Sequence, residues 1–234
     1  MSDEPNDNID SFLTFLEELY PGATSVPTYV GASAADIEAL LRYAAGPIPP
    51  LYRQYLEVFG GGDGLVKLCD DAACDVASIL AHHASHAGDE DPYIPPNATL
   101  ISIHALSFSR CLLHEGTETR VAINEWDQVD TVLASSFKNF LYSHTWRLRW
   151  LTGASVAFCP IDKLGALTEA MLGLDVEKLW FSDEYCTYAE GRAIWARVFA
   201  QGNEACLSLG ASTKKLDEQI FHDHFRKAVP ELKR

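Results

Sequence analysis

Apolar positions along this chain fall into short stripes set apart by proline, glycine and acidic residues. Between Gly46 and Gly62, Leu51, Tyr52, Tyr55, Leu56 and Phe59 recur at i, i+1, i+4, i+5 and i+8, one broad helical face. Pro49 and Pro50 precede it, and proline suits a first turn whose N–H groups are unpaired anyway. Gly60-Gly61-Gly62 follow, predicting a left-handed backbone that closes the helix. Upstream, Phe12, Phe15, Leu16 and Leu19 share a face, with Asp10 or Ser11 as the cap and Pro21-Gly22 as the stop. Ser33 with Asp36 predicts a capping box for a helix carrying Ile37, Leu40, Leu41 and Ala44.

Downstream the pattern mixes periods. Leu65–Leu68 predicts a short strand, and Val76, Ile79, Leu80 and His83 predict a helix within Ala72–Ala87. Gly88-Asp89-Glu90-Asp91-Pro92 predicts a solvated loop, and Leu100–Ile103 and Thr119–Ile123 predict strands. Ser135 or Ser136 caps a helix carrying Phe137, Phe140 and Leu141. Beyond it, Asp162 is placed to cap a helix with Leu164, Leu167, Met171 and Leu172. Leu179–Phe181, Arg192–Phe199 and Ala205–Leu209 read as strands, with turns at Glu190-Gly191 and Gly202-Asn203, a meander signature. Ser212 or Thr213 caps a last helix through Leu216, Ile220, Phe221 and Phe225. Helices followed by clustered antiparallel strands give an α+β class. The expected organisation is an α+β domain over 1–145 and an extension over 146–234 packed on the same sheet.

Composition narrows the function. Hydrophobic residues make up 47% of the chain, enough apolar surface to offset ordering entropy. The net charge of −15 repels phosphate backbones, which argues against nucleic acid as a partner, and attracts a basic one. No run approaches the ~20 apolar residues that span a bilayer, and the acidic start Ser2-Asp3-Glu4 is unlike a signal peptide. Membrane binding is not expected, and a cytoplasmic location is. The six cysteines are scattered in a chain too long to need stapling, which favours reduced thiols.

Taken in order, Ala34-Ala35-Asp36-Ile37-Glu38-Ala39-Leu40, then Ile48-Pro49-Pro50-Leu51-Tyr52-Arg53-Gln54-Tyr55-Leu56, then Gly60-Gly61-Gly62-Asp63-Gly64, make the chain resemble the SUKH superfamily. So does Ala134-Ser135-Ser136-Phe137-Lys138-Asn139-Phe140-Leu141, similar to that family's late Ser-Phe helix. The superfamily includes a yeast cell-wall-synthesis regulator and many bacterial immunity proteins. Two departures stand out: Phe59 occupies a position where the family often has asparagine, and the segment after Gly64 is helix-like where strands are expected. The resemblance implies a SUKH-like α+β fold, N-terminal helices on a mostly antiparallel sheet, that binds proteins, commonly a toxin it neutralises.

Candidate chemistry is sparse. His82 and His86 share a helix face as a metal pair requires, but no glutamate stands between them as in HExxH. Cys69 and Cys74 are spaced more widely than a zinc knuckle. No GxSxG elbow occurs, and Gly60–Gly64 lacks the lysine-serine pair of a phosphate loop. Glu17-Glu18 and the other acidic runs read as solvated faces. The five tryptophans read as core, with one or two available as interface anchors. No catalytic residue, metal or cofactor is therefore assigned. The expected function is non-enzymatic binding and neutralisation of a basic toxin, such as a nuclease, with Asp63, Asp70, Asp71, Asp89, Glu90 and Asp91 as partner contacts. The alternatives are a regulatory scaffold of a signalling or envelope pathway and, third, a metal-dependent hydrolase using His82 and His86.

Overall fold

The computed structural model describes residues 4–25, 29–62, 66, 68, 72–86, 94–104 and 108–234. The chain divides into two units, Pro5–Thr145 and Trp146–Arg234. Each has its own helices and its own five-stranded antiparallel sheet, an α+β architecture.

In the first unit, α1 (Ile9–Leu19), α2 (Ala34–Leu41) and α3 (Pro50–Phe59) lead to β1 (Ala72–Ala73) and α4 (Val76–Ser85). Then β2 (Ala98–His104), β3 (Phe108–Glu115), β4 (Glu118–Glu125) and β5 (Gln128–Ala134) run as a meander into α5 (Phe137–Trp150). The sheet order is β1-β2-β3-β4-β5. The apolar stripes of α1 and α3 are buried as the spacing predicts. They meet α5 through aromatic edges: Phe15 lies 4.7 Å and Phe12 5.3 Å from Tyr142, and Tyr52 lies 5.0 Å from Phe137. Such pairs add modest directional energy to a large burial of area.

Several local expectations need correcting. The cap of α1 is Asn8, whose side chain accepts the Ser11 N–H at 2.9 Å. At α2, Ser33 accepts the Asp36 N–H at 3.1 Å and donates its hydroxyl to the Asp36 carboxylate at 2.6 Å, closing the box on itself. Gly60 ends α3 in right-handed geometry, φ −67°, so its glycine is not there to reach the left-handed region. Close approach is the reason instead. The strand-like segment Val30–Ala32 runs against the end of α3, with Ala32 N–H on the Leu56 carbonyl at 3.0 Å and Gly61 N–H on the Val30 carbonyl at 2.6 Å. A Cβ on Gly31 would overlap the Glu57 carbonyl oxygen, and one on Gly61 would come within 2.9 Å of Val30 Cγ1. Most of the strand expected at Leu65–Leu68 lies outside the described residues; Val66 and Leu68 are buried.

The second unit contains β6 (Ser155–Pro160), α6 (Leu164–Leu172), β7 (Glu177–Lys178), β8 (Cys186–Glu190), β9 (Ile194–Gln201), β10 (Glu204–Ala211), α7 (Lys214–Ile220), a π-helical turn over Phe221–Phe225, and α8 (Arg226–Ala228). Its strands pair among themselves in the order β6-β10-β9-β8-β7, with β10 held between β6 and β9. Leu179–Phe181 is a turn in which Leu179 and Phe181 are buried, with Phe181 5.3 Å from Tyr188. Asp162 sits in a 3-10 turn beside Lys163 and makes no cap bond. One sheet face is covered by α6, α7 and the π turn, through Leu167, Met171, Phe221 and Phe225 against Ala196, Val198, Leu207 and Leu209.

Candidate protein-binding site at a hairpin tip

The acidic residues expected to contact a partner, Asp63, Asp70, Asp71, Asp89, Glu90 and Asp91, lie outside the described residues. Their placement plays no part in the site described below.

The histidine helix forms as expected, but its imidazoles are engaged locally. His82 and His86 lie 4.6 Å apart on α4, and His86 Nδ1 is 3.0 Å from the His82 carbonyl. His83 stacks flat on Tyr43 at 4.1 Å. Among the described residues no group of three or more His, Cys, Asp or Glu is positioned to hold a metal. His222 and His224 stand on the π turn, where His224 Nε2 meets the Ala170 carbonyl at 2.6 Å, a structural contact. Cysteine chemistry is muted too. Cys74, Cys111, Cys159, Cys186 and Cys206 are buried thiols outside any disulfide, and burial pushes the Cys111 and Cys186 thiols up to about 12. A thiol held protonated at neutral pH is a poor nucleophile.

A different feature draws three observations together. Three two-residue hairpin loops join strands here: Gly116-Thr117 between Glu115 and Glu118, Trp126-Asp127 between Glu125 and Gln128, and Gly202-Asn203 between Gln201 and Glu204. The first loop residue has φ +64° at Gly116 and +56° at Gly202, which glycine adopts freely. Trp126 holds φ +58° at the equivalent position, and among the described residues it is the one non-glycine with positive φ. The left-handed region costs an L-residue with a Cβ about 1–2 kcal/mol. The geometry is enforced from beneath: Asn124, 1% exposed, donates its side-chain amide to the Trp126 carbonyl at 2.9 Å.

The strained residue is also an exposed one. Trp126 is 49% exposed. Near the tip Phe108, opposite Glu125, is 46% exposed, and Val129, opposite Asn124 and so on the other sheet face, is 38% exposed. A shallow groove of about 370 Å³ at the tip is lined by residues 125–130, which include the carboxylates of Glu125, Asp127 and Asp130 and no basic side chain. β5, the strand leaving the tip, is the last of its sheet, so no other strand among the described residues takes its outer edge. The tip therefore sets an exposed aromatic among three carboxylates beside the edge strand of its sheet.

Sequence reasoning missed this site because the loop carries no glycine or asparagine at its first position, so neither the hairpin nor β5 announced itself. Of the five tryptophans, the structure separates Trp126 from the rest: Trp146 is fully buried, and Trp150, Trp180 and Trp195 are half-buried. No helix among the described residues is long and apolar enough to cross a membrane. Comparison with protein-family models, with curated proteins and with solved structures finds no match for this chain.

Proposed function

We propose that the chain is a non-enzymatic protein-binding module of the immunity type, which occludes a basic toxin domain by docking it on the Trp126 hairpin. The observation that carries this reading is the retention of an exposed tryptophan at φ +58° where the two companion hairpins use glycine. Strain kept at an exposed position, and clamped by a buried amide, is expected where a side chain has a task other than folding. Tryptophan is the commonest residue to dominate an interface, since it buries much area for little entropy. The carboxylates of Glu125, Asp127 and Asp130 and the net charge of −15 favour a basic partner. The resemblance to the SUKH superfamily supports the same class of function, and the buried thiols outside any disulfide suit the reducing interior of a cell.

The test separates binding from folding. Trp126→Gly removes the strain and the anchor at once. It is expected to hold or raise the unfolding free energy by about 1 kcal/mol while weakening the complex with a cognate basic toxin domain, to be sought in the neighbouring gene, by about 30-fold or more. Growth rescue on co-expression should disappear with it. A Trp126→Gly protein that still rescues growth and binds as before would remove the hairpin from the interface.

A further inference from the structure

The second unit carries a groove of about 610 Å³ whose lining includes Trp150, Trp195, Gly210, Lys214, Asp217 and Arg234. Trp150, the last residue of α5, and Trp195 on β9 stack face to face, 4.5 Å apart and within 4° of parallel. Gly210 lies opposite Trp195 in the register, and a Cβ there would come within 2.8 Å of the Trp150 carbonyl oxygen, so the stack depends on a bare position. Asp217 on α7 is 8% exposed. Its Oδ2 accepts the Ser155 hydroxyl at 2.6 Å and the Arg234 guanidinium, whose carbon sits 4.8 Å from the Phe221 ring centroid.

Three polar atoms bordering this groove are buried with no partner among the described residues: Asp217 Oδ1 and the indole N–H groups of Trp150 and Trp195. Native proteins leave few such atoms, and each asks for a reason. Here one acceptor and two donors belong to residues that line one opening. The carboxylate is half used, because Arg234 and Ser155 both take Oδ2 and leave Oδ1 empty. A guanidinium approaching with its two parallel N–H groups would engage both oxygens, the stronger geometry for this pair. The carbonyls of the chain that bears it suit the indole N–H groups, while the Trp150 ring itself is already covered by Trp195 and by the Arg149 guanidinium, 4.8 Å from its centroid.

We propose that this groove is a recognition site for an arginine residue of a partner polypeptide, and that Arg234 is its internal occupant, displaced when the partner binds. The main chain holds Arg234 in place: Lys233 exchanges both backbone hydrogen bonds with Phe158 on β6, at 2.7 and 2.8 Å. An occupant tethered this way competes at an effective concentration in the millimolar range. The assignment rests on the second unit alone and does not depend on the Trp126 hairpin.

The experiment titrates the full chain with Nα-acetyl-arginine amide, followed by calorimetry and by tryptophan fluorescence from the Trp150–Trp195 stack. Wild-type protein should bind weakly. Arg234→Ala should bind about tenfold tighter or better, since the competitor is gone. On that variant the acetyl-citrulline amide, a neutral isostere, should not bind, and the lysine amide should bind at least about tenfold more weakly. If Arg234→Ala does not fold, Arg234→Gln, which keeps the stem beside Phe221, carries the same comparison. Equal affinity for the arginine, lysine and citrulline amides, or no saturable binding to the variant up to about 10 mM, would overturn the proposal. Tighter binding of free L-arginine than of the blocked amide would overturn the assignment to a polypeptide partner.

Discussion

At the scale of single residues, buried polar groups set the conditions under which the first unit is stable. His114 on β3 is buried, its Nε2 2.8 Å from the Thr99 hydroxyl, which also accepts the Ala45 N–H at 3.0 Å. A Cβ on Gly46 would meet the imidazole at 2.6 Å, so the turn after α2 closes over the ring only because glycine stands there. Burial holds the His114 pKa below its ordinary value. The unfolded chain therefore binds the proton more readily than the folded one. The stability this neutral ring contributes is present above about pH 6.5 and is lost as the pH falls through that value toward the folded pKa. Denaturant midpoints measured from pH 7.5 to 5 should drop in the wild type. In His114→Gln they should start lower, by about 1 kcal/mol, and fall less steeply. Parallel curves would mean that other groups carry the acid sensitivity.

At the scale of elements, α1, α3 and the start of α5 were legible because each presents a 3.6-residue apolar stripe long enough to count. Ends were less legible: Asn8 caps α1 where Asp10 and Ser11 looked equally suitable, since all three carry side chains able to accept an early N–H. Strands β3, β5, β6 and β8 and the two-residue β1 and β7 escaped notice, β3 and β5 for a physical reason. Phe108–Glu115 has four consecutive buried residues in place of alternation, and β5 follows a hairpin loop with no turn-forming residue at its first position. The glycines after α3 were visible, but their cause was not, because a contact between Val30–Ala32 and the helix end cannot be read from local spacing. That cause is testable. Gly61→Ala, whose Cβ would come within 2.9 Å of Val30 Cγ1 and 3.0 Å of the Gly31 carbonyl oxygen, should cost about 1–3 kcal/mol by overpacking. Gly62→Ala meets nothing within 4 Å and should be neutral or stabilise by up to about 1 kcal/mol. Urea unfolding of the two variants decides it; equal losses would return the role of these glycines to backbone conformation.

At the scale of the whole molecule, the proposed function divides the labour of binding between charge and anchor. A net charge of −15 acts over a Debye length and so would govern how fast a basic partner arrives. Trp126, 49% exposed, would act only on contact and so govern how long the partner stays. The sequence disclosed the first half of this division through its composition. It hid the second half, since exposure of one tryptophan among five is decided by tertiary packing. The two halves separate kinetically. Raising the salt from about 50 to 500 mM should slow association with the toxin domain by roughly tenfold or more, with little change in dissociation. Replacing Glu125, Asp127 and Asp130 with their amides should reproduce part of that loss in the on-rate. Trp126→Gly should leave the on-rate within about threefold and raise the off-rate by at least about tenfold. Stopped-flow association and surface-capture dissociation on the same three proteins give both numbers. A regulatory scaffold would behave differently: several partners, each weak and each salt-sensitive, with no dependence of residence time on Trp126. A complex whose on-rate ignores salt would locate its energy away from the acidic tip, and the hairpin would then be an anchor without a steering field.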